Sequence, residues 1–175
     1  MKEISNISRG IVLSKEYLRD NCGEYPVYSS QTENNGELGK INTYNYDGNY
    51  ITWTTDGANA GTVFYRTGKF SITNVCGLID INIENISKKY IYYILSKKTP
   101  KYVNKRMGNP KLMSNVMQEI EIPIPLLHIQ EKIVSILDSF SAASSGLIPL
   151  LEREIELGEK RYSYYRDKLL NFKEK

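Results

Sequence analysis

Cysteine is scarce in this chain, and histidine scarcer. Cys22 and Cys76 are the only cysteines in 175 residues, and they form no CxxC pair. A disulfide framework or a zinc site therefore has no support, and a reducing, cytoplasmic compartment is the simplest expectation. The one histidine, His128, stands between apolar residues at the start of a helical pattern. Histidine metal sites and Ser/His or Cys/His nucleophile pairs would all have to use it, and nothing near it in sequence supports that chemistry. It reads as a partly buried structural residue or a contact. No GxxxxGK[ST] loop occurs, and "GANAG" at 57–61 is followed by a strand pattern, so it is no dinucleotide fingerprint. Asp80 and Glu84, in "GLIDINIE", share a strand face without a basic partner at nuclease-like spacing and read as an ordinary edge. By this reading there is also no signal-like N-terminus and no apolar run of about 18 residues, which points away from secretion and the membrane. No metal or cofactor is expected. The chain reads as a binder rather than an enzyme.

Negative charge is missing from one long stretch. Residues 85–118 hold no Asp or Glu, yet they carry Lys88, Lys89, Lys97, Lys98, Lys101, Lys105, Arg106 and Lys111. Eight of the 23 basic residues fall there with none of the 20 acidic ones, so the rest of the chain is net acidic. A cationic segment on an acidic background is the footprint of a polyanion site, while a solvated lysine face is the plainer alternative. Tyrosine is abundant, with 14 copies. It suits half-buried sheets and contact surfaces alike.

The pattern divides near residue 121. Up to there, short β-rich runs alternate with Gly/Asn/Asp turns, which predicts a small, irregular, mostly antiparallel sheet. In "ITWTTDGANAGTVFYRTGKFSITN" strands are expected at 50–54, 62–65 and 70–72, with a loop of small polar residues at 54–61 and a turn at 67–69. One helix interrupts, from Lys88 to about Ser96, capped by the serine of "SKKYIYYILSKK". The fold class expected is α+β, a β-rich domain over 1–121 followed by a helical region over 122–175.

Pro123 and Pro125 keep residues 120–125 extended. Beyond them Leu126, Ile129, Ile133, Ile136, Phe140, Ala143 and Leu147 step by three and four, the period of a helix. Gly146 and Pro149 are expected to kink or interrupt it. A second series, Ile148, Leu151, Ile155, Gly158, Tyr162, Tyr165, Leu169 and Phe172, forms a heptad seam between charged faces. A narrow stripe of this kind is stable only against another helix. Within the chain the shorter 126–143 helix is the one candidate; a second copy or another subunit would supply a full-length partner.

The proline-bounded "IEIPIPLLHIQEKIVSILDSF" and the later "KRYSYYRDKLLNF" resemble the junction and helix of type I restriction-modification specificity subunits. The segments "YPVYSSQTENNGELG", "ITWTTDGANAGTVFYRTGKFSITN" and "KRMGNPKLMSN" are similar to the target-recognition domain that precedes that junction. The resemblance covers nearly the whole chain, and "IPIPLLHIQEKIVSILD" is its most specific part. It implies a non-catalytic protein that reads double-stranded DNA for methyltransferase (modification) subunits and an endonuclease/translocase (restriction) subunit. Family members typically carry two recognition domains and two helical spacers. One of each is present here, so the chain is a half-length subunit or a fragment of a longer one. Two copies pairing their helices antiparallel through Ile148, Leu151, Ile155, Tyr162, Tyr165, Leu169 and Phe172 would read a split, palindromic target. Residues 148–172 would span about 37 Å at about 1.5 Å per residue, close to the roughly 34–36 Å of one DNA turn.

Asn and Gln read adenine edges and Arg or Lys read guanine. Base-reading candidates are Gln31, Asn34 and Asn35 in a first loop, Asn59 with Thr54 and Thr55 in a second, and Arg106 and Asn109 in a third. Lys69, Lys101, Lys105 and Lys111 are better suited to phosphates. Ordinary turn chemistry is the plainer explanation of any single Asn. Two rival functions remain at this point, an RNA- or single-strand-binding β module with a coiled-coil dimerisation helix and a purely structural dimeric scaffold.

Overall fold

The computed structural model describes residues 1–105 and 108–171. Two compact units make up the chain, Met1–Glu131 and Lys132–Lys175.

The first unit is built on six strands: β1 Asn6–Arg9, β2 Cys22–Tyr28, β3 Glu37–Ile41, β4 Tyr46–Thr54, β5 Val63–Ile72 and β6 Cys76–Asp80. Their order is β1-β6-β4-β5-β2-β3, and every pairing is antiparallel except the short parallel contact of β2 with β5. Around the sheet lie α1 Lys15–Asp20, α2 Lys88–Lys98 and α3 Ser114–Gln118. The mixed, mostly antiparallel class expected from the alternating turns is the one observed. β1, α1 and α3 had no sequence signal strong enough to announce them.

β5 differs from expectation at its middle. The predicted turn at 67–69 does not form, and the strand continues through it in register with β4. Gly48 and Gly68 stand opposite each other, with φ of 131° and 79°. Positive φ is open to glycine at little cost, so both strands deform together and the ladder survives. Straight, ten residues would cover about 33 Å. Yet Thr54 N–H donates to the Thr62 carbonyl at one end of β5, and Thr55 N–H donates to the Val75 carbonyl just past the other, at 3.0 and 3.1 Å. The β4–β5 ribbon must therefore curl back on itself. Inside the curl Phe70, Ile72, Cys76 and Leu78 form a buried cluster, with Tyr28, Tyr46 and Tyr50 packed against it.

The other face of the ribbon carries Trp53, Tyr65 and the side chains beneath α2, where Tyr65 meets Tyr92. Trp53 lies opposite Gly77, and a Cβ added to Gly77 would sit 2.2 Å from the indole. Only glycine fits there. α2 buries Tyr90, Ile91 and Leu95, and Ser87 caps it by accepting from the Tyr90 N–H, as the Ser-Lys-Lys start predicts.

α4, Leu127–Leu170, is a single helix that begins in the first unit. The expected interruption at Gly146 and Pro149 is absent: Pro149 lies inside the helix. Proline removes one donor and costs about 3 kcal/mol, which the remaining ladder of a 44-residue helix carries. The 126–143 segment is therefore part of the same helix as the heptad seam and cannot fold back as its partner. Ile148, Leu151, Ile155, Tyr162, Tyr165 and Leu169 are all exposed; Phe172 lies outside the described residues. The expected absence of a long apolar run is also corrected. An 18-residue window of α4 is apolar enough by length and composition to cross a bilayer, because it holds many aliphatic residues and at most two charged ones.

Candidate nucleic-acid interface

The curl brings three loops together. The first, residues 29–36, is closed by the Ser29 N–H donating to the Gly36 carbonyl at 3.0 Å. Asn34, Asn35 and Gly36 lie in succession at φ of 47°, 53° and 79°. Asn tolerates this left-handed region better than other side-chain-bearing residues, and both asparagines are exposed at the tip. Beneath the loop lies Arg66, 2% exposed, its guanidinium 3.5 Å from the Tyr28 ring centroid and 4.2 Å from that of Phe64. Its Nε donates to the Thr52 hydroxyl at 3.2 Å, and among the described residues its two buried terminal nitrogens meet no acceptor in hydrogen-bond geometry. Burial lowers its pKa.

The second loop, residues 54–61, is pinned from below. Thr54 and Thr55, expected at the tip, are fully buried. Thr54 Oγ1 donates to the Asn59 carbonyl and accepts from the Thr62 N–H. Thr55 Oγ1 accepts from Arg9 at 2.8 Å and lies 2.6 Å from the Asp56 carboxylate. Both threonines hold the loop instead of presenting it. Asn59 is exposed, and its side-chain amide donates to the Thr32 hydroxyl of the first loop at 2.8 Å.

The third loop, around residues 104–111, joins the second through its backbone. Asn104 and Lys111 exchange two hydrogen bonds of 2.8 and 3.0 Å, Gly57 N–H donates to the Pro110 carbonyl, and Leu112 N–H donates to Thr55. The Trp53 indole N–H, buried under the loop, donates to the Leu112 carbonyl at 2.9 Å. Asp56 links the parts electrostatically, 3.4 Å from Arg9 and 3.7 Å from Lys111.

Of the expected site residues, Asn34, Asn35, Asn59, Asn109, Lys105 and Lys111 are exposed on these joined loops. Lys101 is exposed beside them, in the turn after α2 where Thr99 Oγ1 donates to the Gly61 carbonyl. Gln31 uses its amide to donate to the Glu37 carbonyl at the start of β3. Arg106 lies outside the described residues. Lys69 is not part of the cluster: it stands opposite Asp47, with its ammonium 4.7 Å from the Tyr44 ring centroid. A hydrogen bond to Tyr44 raises its pKa. Elsewhere in the cationic segment, Lys88 pairs with Asp80 at 3.4 Å and Lys98 donates to the Glu121 carbonyl. Among the described residues of that segment, Lys101, Lys105 and Lys111 lie at the loops, Lys111 with the Asp56 carboxylate 3.7 Å away. Arg9, Thr32 and Asp56 escaped sequence reading: Arg9 reaches the site only through the strand order, and Thr32 and Asp56, though on the loops, act by holding neighbouring groups. His128 is exposed rather than partly buried.

Comparison with known proteins gives a consistent match. Residues 1–157 fit the model of the type I restriction modification DNA specificity domain. A Mycoplasma pneumoniae protein bearing the name type I specificity subunit S.MpnORF507P is 46% identical over 171 residues, 98% of this chain and 46% of its own length. Another from that organism, named as the N-terminus of S.MpnORF289P, is 49% identical and is matched over 94% of its length. The crystal structure of a type I restriction-modification S subunit from M. genitalium superposes with a TM-score of 0.68 at 18% identity, covering 97% of this chain and 45% of that one. The chain therefore spans about half the length of several relatives it resembles.

Proposed function

The chain belongs to the type I restriction-modification DNA specificity family, and from that premise we propose that it reads double-stranded DNA for a methyltransferase without itself making or breaking bonds. Residues 1–121 are the reading domain and 122–175 the helical spacer. The observation that carries this reading is the union of three loops whose exposed Asn34, Asn35, Asn59 and Asn109 stand beside Lys101, Lys105 and Lys111. Asparagines suit adenine edges, and lysines suit the flanking phosphates.

The exposed stripe of α4 pairs antiparallel with the same stripe of a second copy, so that two reading heads address the halves of a split, palindromic target. Its apolar window is a spacer surface, not a bilayer span, since the seam beyond it continues between charged faces. The helical region also docks the modification subunits, and through the assembled complex the restriction subunit, in the cytoplasm. Single-strand binding by stacked tyrosines draws less support, because the Tyr25–Tyr44 pair lies with Lys69 outside the loop cluster.

Methylome sequencing of the host with and without this chain tests the proposal. One split methylated motif that disappears with the chain is expected; an identical methylome in both strains would refute it. Sedimentation showing only monomer at tens of micromolar, without a methyltransferase present, would count against the paired helices.

A further inference from the structure

Among the described residues of α4, the one buried side chain is polar. Gln130 is 0% exposed. Its Oε1 accepts from the Ser87 backbone N–H at 2.9 Å, and its Nε2 donates to the carbonyls of Pro125 at 2.8 Å and Asn85 at 3.1 Å. That uses three of the four bonds a carboxamide can make. The partners belong to different pieces of chain. Pro125 ends the extended junction, Asn85 is held at a φ of 67°, and Ser87 is the cap of α2. Nearby, the Tyr90 hydroxyl donates to the Pro123 carbonyl at 3.0 Å.

A greasy contact at this place would slide; a buried amide cannot. Hydrogen bonds weaken steeply with misalignment, and moving Gln130 would break all three and leave its buried carboxamide without those partners. From the same joint α2 runs to Lys98, and Thr99 then donates to Gly61 in the second reading loop. A directional lock at the root of α4 thus connects through one helix to the loop cluster.

We propose that Gln130 is a positioning residue that fixes the reading head on the root of the spacer helix and so determines which gap between half-sites is accepted. The inference rests on the DNA-specificity reading above. Adding one base pair to the gap moves the second half-site by about 3.4 Å and turns it by about 35°. A locked joint rejects that rotation, and a loosened one accepts it.

The test uses the full chain assembled with its host methyltransferase subunits. The substrate is a plasmid library that keeps both half-sites and varies the gap by one or two base pairs. Gln130→Met keeps side-chain length and loses all three bonds; Gln130→Glu keeps the bond from Ser87 and loses two donors. Ile91→Ala, in the core beneath α2, controls for simple loss of stability. Wild type should methylate one gap length. Gln130→Met should retain the same half-sites while methylation at neighbouring gaps rises at least tenfold, with Gln130→Glu between. Unchanged gap preference, or broadening no greater than that of Ile91→Ala, would overturn the proposal. So would failure of both Gln130 variants to fold, since the residue would then be purely structural. A wild-type complex with no split motif would instead refute the underlying DNA-specificity reading.

Discussion

The side-chain amide of Asn59 donates to the hydroxyl of Thr32 at 2.8 Å, tying together two loops that lie 27 residues apart in sequence. Thr32→Val keeps the shape and removes the acceptor. A neutral hydrogen bond contributes about 0.5–1.5 kcal/mol net, so affinity for the target duplex should fall roughly 2- to 10-fold. No phosphate contact is lost, so the slope of log K against log salt should stay the same. Fluorescence anisotropy at four salt concentrations measures both quantities.

The lysines should behave in the opposite way. Lys105→Ala and Lys111→Ala should each weaken binding to all duplexes and reduce the magnitude of the salt slope by about one. Lys69→Ala should leave the slope unaltered, because Lys69 is engaged with Tyr44 and stands apart from the loops. A reduced slope in Lys69→Ala would show that the DNA path extends beyond the three loops.

Gly77→Ala tests the packing that supports the interface. The new methyl would meet the Trp53 ring at 2.2 Å, and Trp53 holds the third loop through Leu112. Overpacking of this kind costs about 1–3 kcal/mol. Urea unfolding should report a loss of that size, and unchanged stability would mean that Trp53 is free to move.

Alkaline pH should destabilise the first unit. Burial pushes the Cys76 thiol up to about 12, against roughly 8.5 in an unfolded chain. Between those values the unfolded state has lost a proton that the folded state keeps, so stability falls as pH rises. Burial also raises Tyr50 and Tyr90, which act in the same direction at higher pH. From pH 9 to 10.5, Cys76→Ala should lose about 2 kcal/mol less stability than the parent chain. Equal losses in a denaturant titration at the two pH values would show that Cys76 ionises normally.

Elements with strong local signals were legible in the sequence. Ser87 and the spacing of Tyr90, Ile91, Ile94 and Leu95 announced α2, of which Tyr90, Ile91 and Leu95 are buried, and Pro123 and Pro125 marked the junction. The exposed seam of α4 followed from its heptads. Long-range geometry was hidden. Gly68 looked like a turn because a glycine's effect depends on its cross-strand partner, here Gly48. Thr54 and Thr55 looked like tip residues because burial under a curled ribbon leaves no local mark. The meeting of the loops depends on strand order and on the curl, neither of which a turn sequence encodes. Gln130 fell within the most specific motif, yet nothing in "LLHIQEK" distinguishes a buried amide from a solvated one.

The most direct measurement is the methylome of the assembled complex carrying Asn34→Ala, Asn59→Ala and Asn109→Ala together. These three exposed side chains lie on the three loops, and each is expected to contribute about 1–3 kcal/mol of discrimination where it meets a base. The methylated motif should lose or relax specified positions in its half-sites while the gap between them stays fixed. An unchanged motif, methylated to the wild-type extent, would contradict the assignment of these loops as the DNA-reading surface.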